Sequence, residues 1–562
     1  MSRSAGIAQL ARRSEKNGER DCRRIMVNQF GLTLQIEKAQ LPGRNGNTVP
    51  VLSLRSWFSF LLKQNHWHIL CGLYRPDWVR EEAILQSFWD HYRVHCPQHE
   101  IFEKERRGEV VLRRCAPLLL HGDEGRGRRH SAFLVVSCAS VLGRGLQEHA
   151  RKGKREYLRM LPNYKGHTYT SRFLIAALPK HSYTNSNAEV FDQLMSFASD
   201  EFSHLVTEGV THECRGQFWG CLLQVTGDWP WLVKSGNLTR SFWNAEKHKE
   251  TAGKKRKTPV GVCHLCCAGQ PMYDFEEIGS RSPKWLKTLH AESPFRVQPP
   301  LLKVPHVCGE SAGLWFFDLF HTWHIGCGKA FLASFLVLLA EQRPESNIDL
   351  RMEALGQDYI SFCKGRGKRP FMTKLNKESL NYPTTQCFPN GSWHKGELTT
   401  MLMQYVEHRF SNEDWSDFPV SLRLSGEAAV AVNASMRVLY SGKAWLSVSE
   451  AREAAEQGLR FLRRYSDLCK ISHGEGRTLF VLQPKFHAYH HLMIYLLEGS
   501  SRGAVLNPLC YATQPSEDFV GRPSRLSRRV TSQRPCADRV IDRYLRSCYH
   551  QWVKAGFIVC AN

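Results

Sequence analysis

Apolar positions along the chain recur with two different periods, and the places where the period changes divide it. Residues 51–105 carry a helical repeat crowded with tryptophan ("WFSFLLKQNHWHILCGLY", then "REEAILQSFWDHYRV"), which predicts a small helical unit. From Val110 the pattern turns to short apolar runs bounded by Gly and polar residues. "EVVLRRCAPLLLHGD", "SAFLVVSCAS" and "SRFLIAALPK" read as three successive strands, the first followed by a Gly-rich turn. "NAEVFDQLMSFASDEFSHLVTEG" then sets Val190, Leu194, Phe197 and Leu205 on one helical face, with Asn185 or Asn187 as the cap. "QFWGCLLQVTGD" follows as a fourth strand that ends on Asp228.

Strand, strand, strand, helix, strand predicts an α/β sheet of mixed direction rather than a doubly wound parallel one. Beyond Asp228 the strand signal fades: "KHKETAGKKRKTP" is a charged linker, "CHLC" follows, and a mostly helical region runs to about residue 480. Within it "AFLASFLVLLA", residues 330–340, is too short to cross a bilayer and is read as a buried helix. The last block holds an amphipathic helix with Val540, Ile541, Tyr544, Leu545, Cys548 and Trp552 on one side. The expected organisation is a basic flexible tail (1–50), a helical unit (51–105), the first part of a sheet core (106–230), an insertion (231–480) and the last part of the core (481–562).

Composition narrows the partners. With 76 Lys and Arg against 53 Asp and Glu, the 562-residue chain carries a formal charge of +23, a field that suits polyanions. The basic amino terminus lacks the apolar core of a secretory signal, and no export is expected. Nineteen cysteines without a framework pattern then read as reduced thiols with one metal site.

The candidate chemistry lies in carboxylates at strand ends. Asp123 in "LLLHGDEGRGRRHSAFLVV" closes the first strand and Asp228 closes the fourth. If those strands are neighbours, the two acids emerge together, and two carboxylates that close repel unless a cation lies between them. Two Mg²⁺ ions held by hard oxygen ligands are what two-metal phosphoryl transfer needs, and a third acid from a helix completes such a site. Glu517 in "QPSEDFVG" is the preferred third ligand, with Ser516 as its helix cap and Asp518 in reserve. Taken singly, an Asp in a Gly-rich segment is an ordinary turn residue.

The order of motifs over residues 110–530 resembles the CACTA (En/Spm)-type DDE transposases. "HGDEGRG" looks like that family's first-aspartate segment, "TGDWPWLVKSGNL" its second, "GVCHLC" its CxxC element and "FFDLFHTWHIGCGK" its DxxH element. "PKFHAYHHL" is similar to its Pro-Lys-x-His segment and "EDF" from Glu517 to the Glu-Arg-Phe of its final helix. The resemblance implies an RNase H-like mixed sheet interrupted by a large, mostly helical insertion, with Asp123, Asp228 and Glu517 as catalytic ligands of two Mg²⁺ (or Mn²⁺) ions. The chain departs from the pattern at Glu124, where the family has Gly, and at Gly521 and Pro523, which are expected to break or kink the final helix.

Cys263 and Cys266 have the spacing of half a structural Zn²⁺ site, with His290, His306 or Cys308 as the expected other half and His290 preferred. His487, His490 and His491 are read as core histidines. Asp318 and His321, three apart, share a helical face and are placed beside the site. Arg522 to Arg546 contains eight arginines against Asp538 and Asp542; Arg522, Arg525, Arg528 and Arg529 are expected to bind DNA backbone. "KKRK", residues 254–257, reads as a nuclear localisation signal or an electrostatic contact. The expected function is DNA cleavage and strand transfer in the nucleus, acting on transposon ends and target DNA, with no membrane and with a homo-oligomer left open. The alternatives are a non-catalytic DNA-binding descendant and a metal-dependent nuclease without strand transfer.

Overall fold

The computed structural model describes residues 18–43, 46–144, 160–248, 260–530 and 536–558. A short helix at Gly18–Arg23 precedes an antiparallel hairpin of β1 (Lys38–Pro42) and β2 (Thr48–Leu52). Helix α1 (Leu54–Lys63) follows at once because Ser53 caps it, accepting the Ser56 backbone N–H at 3.2 Å. Helix α2 (Trp78–His95) starts the same way on Asp77. The expected tail is therefore ordered from Gly18 in the described residues. Lys38 of β1 pairs with Asp538 and Asp542 at 3.1 and 2.5 Å, and Arg23 with Asp542 at 3.1 Å. Residues 51–105 do not form a separate unit: Trp57, Phe58, Trp67, Phe88 and Trp89 share one hydrophobic core with the sheet.

That sheet is built from β3 (Cys115–Arg126), β4 (Ala132–Ser140), β5 (Arg172–Pro179), β6 (Val210–His212) and β7 (Gly216–Thr226), in the order β5-β4-β3-β7-β6. The pairs β3/β4, β4/β5 and β6/β7 are antiparallel, while β7 lies parallel to β3. A parallel neighbour needs a crossover. Helix α3 (Glu189–Thr207) supplies it, burying Val190, Leu194 and Leu205 as its periodicity predicts. Strand β5 is buried along its whole length, so both sheet faces are covered there, and the strand reads as an unbroken apolar run.

After β7 the chain makes the short helix α4 (Trp229–Ser235) and a long irregular stretch. A π-wound turn at Phe320–Cys327 then leads into α5 (Gly328–Glu341). Helices α6 (Ile348–Gly365), α7 (Gly396–Asn412), α8 (Val420–Leu439) and α9 (Val448–Gly474) pack with α5 into a second core. The segment Phe320–Glu341 is long and apolar enough to cross a membrane, yet it is 89% buried inside this core, as the reading of 330–340 expected. A capping box between Ser447 and Glu450 starts α9.

Helix α10 (Pro484–Arg502) returns the chain to the sheet, where α11 (Gln514–Ser527) and α12 (Cys536–Lys554) complete the core. The architecture is thus a mixed five-stranded sheet with a largely helical region between its last strand and its last helices. Helix α11 runs unbroken through Pro523, against expectation, and its cap position is Thr513 rather than Ser516. An interior proline costs a helix hydrogen bond, about 3 kcal/mol. Packing offsets that here: a Cβ on Gly125 of β3 would strike Ser524, so the glycine lets α11 lie directly on the strand.

Candidate functional site

The register of β3 and β7 decides where the two aspartates fall. His121 is level with Thr226, and both strands run the same way. Asp123 and Asp228 each lie two residues further on, so they leave the same edge of neighbouring strands, which sit about 4.8 Å apart. Both line one cavity, together with Asp318, His321 and Lys485. Asp123 is not a turn residue: it lies inside β3, paired with Val135. The glycines that suggested a turn instead admit neighbours, since a Cβ on Gly122 would occupy the Trp231 ring.

Asp228 leaves the strand and immediately caps α4, accepting the Trp231 N–H at 2.8 Å. Trp229-Pro230-Trp231 is therefore helical rather than extended. The two tryptophans still divide the work. Trp231 packs on Gly122 and against Phe191 of α3, whereas Trp229 stacks with Phe242 and Phe317 at the start of the inserted region.

Glu517 reaches the same place from α11. Its carboxyl group lies within hydrogen-bonding reach of Asp123, and burial together with the Glu517 charge pushes Asp123 up to about 6. Burial, then Asp123, raises Asp228 as well. Glu517 Oε1 is buried and accepts no hydrogen bond. Asp518, the reserve, is exposed and turns away to pair with Arg522 at 2.8 Å. Glu517 is the acid that faces the aspartates.

Two histidines stand over Glu517. His321 Nε2 lies 3.5 Å from its Oε1, and His121 Nε2 3.7 Å. Burial opposes charge on His321, but Asp318, 2.5 Å from its Nδ1, outweighs that and pushes it up to about 9. His121 has no such partner, so burial holds it near 4 and it stays neutral. Asp318 also accepts the N–H groups of Phe320, His321 and Thr513, the last at 3.2 Å. Because Thr513 begins α11, one buried carboxylate fixes both His321 and the helix that carries Glu517. His121, Thr513 and Lys485 were not predicted as site residues; only the strand register and the return of α10 bring them here.

A second group of ligand atoms is tighter. Cys263, Cys266, His487 and His491 are all buried, with their ligand atoms within 4.8 Å of one another. Cys263 Sγ is 3.4 Å from His491 Nε2, Cys266 Sγ is 3.3 Å from His487 Nε2, and the two imidazole nitrogens are 3.0 Å apart. Tetrahedral zinc, with bonds of about 2.3 Å to sulfur and about 2.0 Å to nitrogen, requires similar spacings. Burial would raise the Cys263 thiol, but Cys266 and the two imidazoles outweigh it and hold it below the ordinary range. The group could hold a metal such as zinc. It corrects the expected ligand set: His290 lies outside, with its Nε2 3.9 Å from Glu310, and His306 faces Glu100. His487 and His491, four apart on α10, take the second half, while His490 is a core histidine bonded to the Ser280 carbonyl at 2.7 Å.

Comparison with models of known protein families finds no match for this sequence. Comparison with well-described proteins finds none either.

Of the expected DNA-binding arginines, Arg525, Arg528 and Arg529 are exposed on and just after α11. Arg522 is occupied within the fold by Asp518, Thr168 and His167. The KKRK segment, residues 254–257, lies outside the described residues.

Proposed function

We infer that this chain is a DDE-type polynucleotidyl transferase with an RNase H-like core, cutting DNA and transferring the cut strand. The observation that carries this reading is the meeting of Asp123, Asp228 and Glu517, from β3, the end of β7 and α11. The sheet order supports it, with its first strand central, antiparallel to the second and parallel to the strand after the helix. The motif order that resembles the CACTA-type enzymes adds to both.

The acids fit hard divalent cations. Glu517 Oε1 has no protein partner, and Asp123 and Asp228 raise one another, as carboxylates do when a positive charge between them is missing. Two Mg²⁺ or Mn²⁺ ions held by these three residues would neutralise charge developing on a phosphodiester. The protein's own part is orientation. The Trp231 N–H fixes Asp228, the Asp318–His321 pair holds a positive charge over Glu517, and Trp229 keeps bulk water from the cavity wall. Water then attacks one DNA phosphodiester, and the freed 3′-hydroxyl attacks a second DNA.

The test uses the full chain with supercoiled plasmid and Mg²⁺ or Mn²⁺. Wild type nicks or linearises the plasmid and joins a labelled 3′ end to it. Asp228→Asn abolishes both, while DNA binding stays level or strengthens because a negative charge facing phosphate is gone. Cleavage retained by Asp228→Asn ends the ligand assignment; cleavage without joining makes the protein a nuclease.

A further inference from the structure

The segment from Phe320 into α5 is not one regular helix. It is π-wound over Phe320–Cys327 and breaks at Gly326 (φ −121°, ψ −107°), a distortion that recurs at functional sites. A Cβ at Gly326 would sit 2.7 Å from Lys485 Cδ and 2.6 Å from the His321 carbonyl oxygen. The missing side chain is therefore the slot that the Lys485 stem fills. Pro484 at the first turn of α10 sets the direction in which Lys485 departs.

Through that slot Lys485 reaches the wall of the cavity lined by Asp123, Asp228, Asp318 and His321. Its ammonium makes no hydrogen bond or ion pair among the described residues. Lys329, on the first turn of α5, is its neighbour. Burial and the Lys485 charge bring Lys329 down to about 8, so the two like charges feel each other. Two partly buried ammonium groups side by side, each without a counter-ion, are unfavourable in the absence of an anion. A lysine meant only to offset the carboxylates would close on one of them, as His321 closes on Asp318. The stem held in the Gly326 slot instead keeps the ammonium short of ion-pair distance.

We propose that Lys485 and Lys329 form a phosphate-binding site facing the carboxylates, gripping the non-bridging oxygens of the DNA phosphate presented for attack. The assignment of that phosphate to DNA rests on the reading above; the chemistry recognised, a phosphate oxygen pair, does not. It divides the cavity into an acidic wall for cations and a basic wall for phosphate.

Full-length protein without divalent cation is titrated with inorganic phosphate, following thermal unfolding, and then with a DNA duplex that competes for the same site. Wild type is stabilised by phosphate. Lys485→Met weakens phosphate about tenfold, as loss of a charged hydrogen bond does, and Lys329→Met weakens it less. The duplex displaces phosphate from wild type. Equal phosphate affinity in wild type and both variants, each folded as judged by its unliganded midpoint, overturns the site; if Lys485→Met does not fold, unchanged affinity in Lys329→Met does so alone. Phosphate that binds but is not displaced by duplex overturns the DNA assignment. The outcomes separate from those of the cleavage test: phosphate binding that depends on the lysines in a chain that never cuts DNA leaves this site standing and removes the enzymatic reading. Cutting that persists unchanged in both lysine variants does the reverse.

Discussion

At the scale of single residues, the Asp318–His321 pair does the most with the fewest atoms. Asp318 is 3% exposed, and its two oxygens serve His321 and three backbone N–H groups, which hold it ionised despite burial. Replacing Asp318 by Asn keeps some of these bonds but removes the charge that raises His321. The His321 ring should then titrate well below about 9 in an NMR pH series. The protein should lose about 3 kcal/mol in urea unfolding, the usual cost of breaking a buried pair. An unmoved titration would show that His321 owes its charge to Glu517 and not to Asp318.

At the scale of elements, the docking of α11 on β3 decides whether Glu517 reaches the aspartates. Gly125→Ala places a methyl group where Ser524 now sits, so it should cost about 1–3 kcal/mol as an overpacking change. Ser524→Gly in the same chain should return part of that loss, a coupling readable in a double-mutant cycle. Full stability in Gly125→Ala would mean that α11 is not pressed against the strand.

The same elements show how far the sequence could be read. The strand order and the crossover helix were legible because half-buried strands and helices carry different periods. Asp123, Asp228 and Glu517 were legible as acids beside strand ends or at a helix start. The glycines of "HGDEGRG" misled, because a glycine that makes a turn and one that admits a packed helix are the same letter. Pro523 misled for a related reason: its cost to α11 is set by packing with a strand distant in sequence. His487 and His491 carried a usable signal, two histidines four apart on one helix, a spacing known from metal sites. The nearer His290 was preferred because chain proximity to "CHLC" was the only guide to distance.

At the scale of the molecule, the cysteine–histidine group joins two regions, because Cys263 and Cys266 follow β7 whereas His487 and His491 sit on α10. Full-length protein should contain one zinc per chain by elemental analysis. A strong chelator should lower its thermal midpoint and expose Trp285, which packs on the three histidines of α10, to fluorescence quenchers. Metal-free protein with an unchanged midpoint would make the group a packing cluster only. Acid should also destabilise the fold. Burial lowers His68, His95 and His324 from the ordinary 6.5 to about 4 and His99 to about 3. The unfolded chain thus takes up protons that the folded chain refuses. The stability these histidines contribute is complete above pH 6.5 and is lost as pH falls towards 4, each adding up to about 1.4 kcal/mol per pH unit. Urea midpoints at pH 7 and pH 4.5 would reveal it, and equal midpoints would contradict it.

The central claim is that three acids from distant parts of the chain bind cations as one site. A crystal of the full chain soaked in Mn²⁺ tests it most directly, because manganese is located by its anomalous scattering and is told apart from zinc by its absorption edge. The account predicts manganese in contact with Asp123, Asp228 and Glu517, absent from an Asp228→Asn crystal. Manganese bound elsewhere, with these three carboxylates bare in a well-ordered cavity, would contradict it.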